Sequence, residues 1–303
     1  MPWEKWQSRD ISREIGDHWG ESLSLDMLGQ VAYTRGEYPE AERLYREALA
    51  LKEKVGSLHE IGWWLRTLSD LLCIQGRYAE AREMAFQSMA IGRQTGNPYL
   101  IALSYSSLAK IAVGERSYEE AFRFGRQTVE AFTDANWPEG PAWMQIDLCP
   151  IALDLNDADE LERRARDSLS IFEKTGSPWG RSAALYYLGE AARLKGDLAT
   201  ARDLLVQSIR LAAGASSVML VVRHLVGFAT LLAQTDGPER AVELLALVVH
   251  HPATWQVTRD RAHRLLAELA GVLPPDLAAS AQERGSQLSV GAVVADIVSQ
   301  HRF

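Results

Sequence analysis

The chain has 303 residues and carries 40 acidic against 32 basic side chains. That net charge of -8 repels a phosphate backbone and argues against nucleic acid as a partner of this segment. An apolar content of 47% is ample for a folded chain and excludes extended disorder. Acidic and basic residues run through the amino-terminal part, and no apolar run reaches the roughly 18 residues of a membrane helix, so neither a membrane span nor a signal peptide is expected. Cys73 and Cys149 match no metal or redox spacing, which fits a reduced, cytoplasmic compartment.

In chain order, residues 1–16 read as the second helix of an incomplete helix pair. Gly16-Asp17 then closes that helix and starts the next. Such junctions recur at Gly56-Ser57, Gly96-Asn97 and Gly176-Ser177. A Gly just past a helix takes the left-handed conformation that ends it, and the Asp, Ser or Asn that follows can cap the next helix. Between junctions lie a first helix, such as Gly20 to Arg35, and a second helix that begins near Pro39. Leu25, Leu28 and Ala32 form one apolar stripe on the first, matched by Leu65, Leu68, Leu72 and by Leu185, Leu188, Ala192. Gly36, Gly76 and Gly196 end these first helices, with Asn156 in the same slot. Ala41, Leu44, Tyr45, Ala48 and Leu49 stripe the second helix.

The small residue Ala41 measures the period. Steps of 40 residues reach Ala81, Ala121, Leu161, Ala201 and Ala241. A period between about 20 and 50 residues is the mark of a solenoid. The array is expected over residues 1–251, with a partial repeat at 1–16 and units starting near 17, 57, 97, 137, 177 and 216. A step back from Ala41 lands on Met1, so the chain reads as opening in mid-repeat, as a piece of a longer protein would; a native capping helix is the alternative. The unit near 137 departs most from the pattern, because Pro150 falls inside its first helix. A bend or break there is predicted, shaping a pocket beside Trp143, with simple drift in a tolerant repeat as the alternative. After His250-His251-Pro252 the period fades. Residues 252–303 are expected to form a helical cap, with helices over Arg259 to Gly271, Asp276 to Arg284 and Gly291 to Ser299.

Leu28-Gly29, Gly36, Tyr38, Ala41, Tyr45 and Ala48 stand at the spacings of the tetratricopeptide repeat, which the array resembles. The third unit departs with Arg116 at the Gly position, and the fourth and sixth with Leu161 and Pro238. The resemblance implies an all-α, right-handed solenoid of antiparallel helix pairs. The period exceeds the family's usual value of about 34, which points to longer helices. The carboxy-terminal stretch is also similar to the sensor arms of bacterial signal-transduction ATPases and antibiotic-type transcriptional activators. No phosphate-binding Gly-x-x-x-x-Gly-Lys-Ser/Thr loop is present, so an NTPase would have to lie upstream.

No catalytic constellation is found, and no cofactor or metal is expected. His250, His251 and His263 leave a metal site open, but helix-end histidines at the surface are the simpler reading. Cys149 reads as a structural thiol. Arg259, Arg261 and Arg264 alternate with Asp260 and Glu268, which predicts a mixed, solvated surface.

In tetratricopeptide arrays the first helices line a concave binding face. That rule, carried over by the resemblance, selects Trp63, Arg66, Asp70, Ser106, Lys110, Trp143, Tyr186, Glu190, Arg193 and Arg223. Aromatic rings among a few charges suit a protein or peptide groove; packing against neighbouring helices is the alternative for each. The Lys and Asn set with which chaperone-binding relatives clamp a terminal carboxylate is missing. Asp26, Gln30, Asp70 and Ser106 stand where it would be expected. The chain therefore reads as a non-enzymatic sensor or interaction domain of a larger bacterial signalling NTPase or transcriptional regulator. The alternative is a free-standing scaffold for assembly or self-association.

Overall fold

The computed structural model describes residues 9–235 and 237–300, apart from the side chain of Val55. The expected partial repeat at 1–16 therefore lies outside the described residues as far as residue 8; residues 9–14 are helical. The chain forms two compact units, one ending at Met144 and the other beginning at Gln145. In the first lie α1 (His18–Arg35), α2 (Tyr38–Val55), α3 (Leu58–Ile74), α4 (Tyr78–Gln94), α5 (Pro98–Gly114) and α6 (Tyr118–Asp134). The helix α7 (Glu139–Asp154) begins in the first unit and ends in the second. The second unit continues with α8 (Ala158–Thr175), α9 (Pro178–Leu194), α10 (Leu198–Gly214), α11 (Val218–Gln234) and α12 (Pro238–His250). It closes with α13 (Gln256–Leu269), α14 (Pro275–Ser286) and α15 (Val290–Gln300). Each unit is a run of antiparallel helix pairs, and no strand occurs among the described residues.

The turns explain the period. A left-handed residue stands every 20 positions, at Gly16, Gly36, Gly56, Gly76, Gly96, Arg116, Asn136, Asn156, Gly176, Gly196 and Ser216. The 40-residue period thus divides into two equal halves, each a helix of about five turns and a tight reversal. At these turns the backbone closes on itself: Gly36 N–H donates to Tyr33 O, and Glu37 N–H to Ala32 O. Arg116 and Ser216 hold this conformation without glycine's freedom, at about 1 kcal/mol each. The side chains of Asp17, Asn97 and Ser177 cap the following helices as expected, and Asp157 and Asp197 do the same, each accepting a backbone N–H. Ser57 does not. Lys52, at 2.7 Å, holds the Glu60 carboxylate below its usual pKa against burial, and the Ser57 hydroxyl adds a smaller hydrogen bond to it.

Small residues set the closeness of each pair. Ala41, Ala81, Ala121, Leu161, Ala201 and Ala241 are all fully buried. Opposite them on the first helices runs the row Gly29, Ser69, Ala109, Cys149, Gly189 and Ala229. The Ser69 hydroxyl donates to Ala81 O at 2.7 Å, and a Cβ on Gly189 would stand 3.3 Å from Ala201 O. A second crossing is sealed the same way: Ser88 donates to Gly62 O and Ser182 to Ser208 O, both at 2.8 Å. Each such bond contributes about 1 kcal/mol and leaves the buried hydroxyl satisfied.

One expectation needs correction. The helix α7 is continuous through Pro150 to Asp154, so no break occurs there. Pro150 has no N–H to offer, so one backbone bond of α7 is forgone. Its neighbours Ile146, Cys149 and Ile151 are at most 1% exposed, so packing holds the segment on both sides. The carboxy-terminal helices lie close to their expected ranges. The helix α13 packs on α11 and α12, where the first helix of a seventh pair would stand. Regularity ends with α14, which crosses α12 so closely that a Cβ on Gly285 would meet Glu243 O at 2.3 Å.

Candidate interaction sites on the first helices

In the first unit, Trp63, Arg66 and Asp70 share one face of α3, at intervals of three and four residues. Asp70 accepts hydrogen bonds from Lys110 Nζ at 2.7 Å and Ser107 Oγ at 2.8 Å, with Arg66 Nη1 at 3.1 Å. Lys110 occupies on α5 the register that Asp70 occupies on α3, so this ion pair joins consecutive repeats. Burial works against the Asp70 carboxylate, but Lys110 and Arg66 outweigh it and hold its pKa below the usual value. Trp63 starts an aromatic ladder. Its ring lies 5.7 Å from Tyr99, which lies 5.4 Å from Trp137, which in turn meets Phe132 at 4.8 Å. Arg66 reaches over Trp63, and its buried Nε makes no hydrogen bond. Ser106 is half-buried beside this group, and the hydroxyl that reaches Asp70 is that of Ser107. Trp143 is half-buried on α7.

In the second unit, Tyr186, Glu190 and Arg193 of α9 converge with Arg223 of α11. Glu190 is fully buried, and its Oε2 accepts from Arg193 Nη2 and Arg261 Nη2, both at 2.9 Å. Arg261 Nη1 donates to Tyr186 Oη at 2.6 Å. Burial opposes the Glu190 charge, yet Arg261 and Arg193 outweigh it and lower the pKa. The imidazole of His224 stacks on Tyr186, with centroids 4.7 Å apart and planes at 9°. Burial, then the neighbouring Arg223, push that imidazole well below its ordinary pKa, so it is neutral. Tyr186 and Glu190 meet Arg261 over α11 because Gly227 lies between them. A Cβ there would stand 2.3 Å from Glu190 Oε1 and 2.7 Å from the Tyr186 ring.

Arg261 corrects the expected solvated surface at Arg259–Arg264, since it is drawn inward by a carboxylate 71 positions earlier. His224, Arg261 and Trp255 were absent from the candidate residues. Gly227, inside an otherwise apolar helix where it costs about 1 kcal/mol, was the available signal of a close approach. The three histidines do not converge on an ion. His250 and His263 line a cavity of about 330 Å³ with Ala246, Val249 and Leu266. His250 Nδ1 is engaged by Ala246 O at 2.8 Å, while His251 Nδ1 accepts from Ala253 N–H at 3.2 Å. Among the described residues no group of three or more His, Cys, Asp or Glu could hold a metal. Cys149 is fully buried, and burial raises its thiol pKa, away from a reactive thiolate. Among the described residues no helix is long and apolar enough to cross a membrane.

Equal helix pairs, small-residue crossings and polar first-helix faces make an array similar to those of tetratricopeptide-repeat proteins. Residues 23–55 match the family model of the tetratricopeptide repeat. No curated protein matches the chain in sequence. Among solved structures, a Rap protein complexed with competence and sporulation factor is similar with a TM-score of 0.70 at 16% identity, over 95% of this chain and 80% of that one. BtubC (BKLC) from P. vanneervenii gives 0.56 at 20% identity, over 71% and 90%. A signal transduction ATPase with numerous domains and a tetratricopeptide repeat sensor, from Pyrococcus horikoshii, gives 0.57 at 12% identity. That match covers 97% of this chain and 46% of the ATPase, so the chain spans less than half the length of that protein.

Proposed function

We propose that the chain is a non-enzymatic interaction domain that receives a protein or peptide on the outward faces of its first helices. Within a larger signalling NTPase or transcriptional regulator it acts as the sensor arm. The observation that carries this reading is the second-unit cluster. Arg223 on α11 is half-buried between the rings of Tyr186, Tyr187 and Trp255, and its buried Nε and Nη2, with Nε1 of Trp255, are left without acceptors. Rigid aromatic and arginine side chains with unused donors are what a binding face presents to a partner. The likeness in fold to an ATPase bearing a tetratricopeptide sensor supports the signalling context.

The test is an array of random-sequence peptides probed with the whole chain. Selective retention of a peptide subset is expected, weakened at least tenfold in Kd by Arg223→Gln or by Arg66→Ala. Uniform absence of retention, or retention indifferent to both substitutions, would sink the proposal. Sequencing the reading frame upstream of Met1 tests the signalling context, for which a phosphate-binding loop is expected.

A further inference from the structure

The surroundings of Arg223 supply charge and rings but no acceptor for its fork. Its guanidinium carbon lies 5.7 Å from the ring centre of Tyr186, 5.5 Å from Tyr187 and 5.8 Å from Trp255. Aromatic faces therefore steady the cation on three sides. Its Nε and Nη2 are buried and make no hydrogen bond. These two N–H groups point the same way and form the fork with which an arginine grips both oxygens of a carboxylate. The chain uses that fork elsewhere. Arg43 offers Nε and Nη2 to the two oxygens of Glu40, at 2.9 and 2.6 Å. Arg163 does the same to Glu160, at 2.8 Å for both. At Arg223 no carboxylate meets the equivalent edge.

A further observation points the same way. The indole Nε1 of Trp255, whose ring faces Arg223, is a third buried donor without an acceptor. Glu190 does not meet these donors: its Oε2 is taken up by Arg193 and Arg261, and its Oε1, which makes no hydrogen bond, lies against Gly227. A buried donor without an acceptor loses the bond it would make to water, so an incoming acceptor is favoured.

We propose that the Nε–Nη2 edge of Arg223, with Trp255 Nε1 beside it, binds a carboxylate of a peptide partner. The group is either the chain terminus or an Asp or Glu side chain. This deepens the reading of the chain as an interaction domain by giving the chemistry its partner presents. It also differs from a clamp built of lysine and asparagine, because the cation here is a planar fork held between rings.

The test is a titration of the uniformly ¹⁵N-labelled whole chain, following the indole N–H resonance of Trp255, which is identified by its loss in Trp255→Phe. The probes are acetyl-tetraalanine with a free terminus, the same peptide amidated, an amidated acetyl-Ala-Ala-Glu-Ala, and inorganic phosphate. The free-terminus or the Glu peptide moves the resonance saturably, and whichever does so names the source of the carboxylate. The amidated tetraalanine leaves it in place. Arg223→Gln, with an unchanged circular dichroism spectrum, weakens that binding at least tenfold, and Arg223→Lys gives an intermediate value. No movement with either carboxylate peptide, an equal response to the amidated peptide, or a response to phosphate alone overturns the proposal. If Arg223→Gln does not fold, the acid-against-amide comparison in the unsubstituted chain decides. Array peptides retained by wild type and Arg223→Gln alike, but lost on Arg66→Ala, would keep the interaction reading and remove the carboxylate site.

Discussion

Asp70 and Glu190 occupy the same register on their first helices, three 40-residue periods apart, yet they are handled differently. Asp70 keeps 19% of its side-chain surface and is met by Arg66 on its own helix and Lys110 on the next first helix. Glu190 keeps none, and is met by Arg193 on its own helix and by Arg261 two first helices further on. The first arrangement is local and repeats the register, so each helix pair adds its link independently. The second needs Gly227 to open a path across α11, and it ties three successive first helices into one piece. Similar residues at one register therefore give a solvated link between neighbours in one unit and a buried lock in the other.

The largest expected effect comes from breaking the lock. Glu190→Gln keeps the shape but leaves Arg193 and Arg261 without their counter-charge. Removing one partner of a buried pair costs about 3–5 kcal/mol. Native-state hydrogen exchange on α9 and α11 should register this as lost protection. A loss below about 1 kcal/mol would place Glu190 with the solvated pairs and erase the contrast. Gly227→Ala comes next. The added methyl meets Glu190 and Tyr186 well inside contact distance, and overpacking of this kind costs about 1–3 kcal/mol. Protection of α9 should fall with that of α11, whereas a change confined to α11 would show that the three helices are not joined.

What could be read from the sequence follows the same division. The turns were legible because a left-handed backbone leaves few choices, so Gly36, Gly76, Gly196 and Asn156 announce themselves. The crossings were legible because a helix pair this close admits little beyond Ala, Ser and Gly, as in the row from Ala41 to Ala241. Asp70 and Lys110 could be selected together, since their contact follows the repeat. Arg261 could not, because its partners lie 71 and 75 positions away and the period has faded by then. Its charge pattern with Asp260 and Glu268 resembles any solvated helix. The choice of Ser106 shows a smaller limit: a face inferred from the family is one position from Ser107, whose hydroxyl reaches Asp70.

A third effect tests the neutral His224 inside the lock. Its pKa is depressed in the folded chain and near 6.5 when unfolded, so below about pH 6.5 the unfolded chain binds a proton that the folded one refuses. Stability of the second unit should therefore fall as pH drops from about 6.5, by up to about 1.4 kcal/mol per unit, until the folded pKa is reached. The depressed Glu190 carboxylate acts only at lower pH, once the unfolded acid begins to take up protons near pH 4. His224→Phe should flatten the change above pH 5. A slope that survives the substitution would assign it to another group.

The smallest effect belongs to the solvated link. Asp70 retains partial exposure and more than one cation, so a double-mutant cycle of Asp70→Asn and Lys110→Met should return a coupling of about 0.5–1 kcal/mol. Arg66 remains beside the carboxylate when Lys110 is lost, which limits the penalty of either change. Added salt should reduce the coupling further, because solvent reaches the pair. A coupling near 3 kcal/mol that ignores salt would mean that Asp70 is buried in effect, and the two registers would then do the same work.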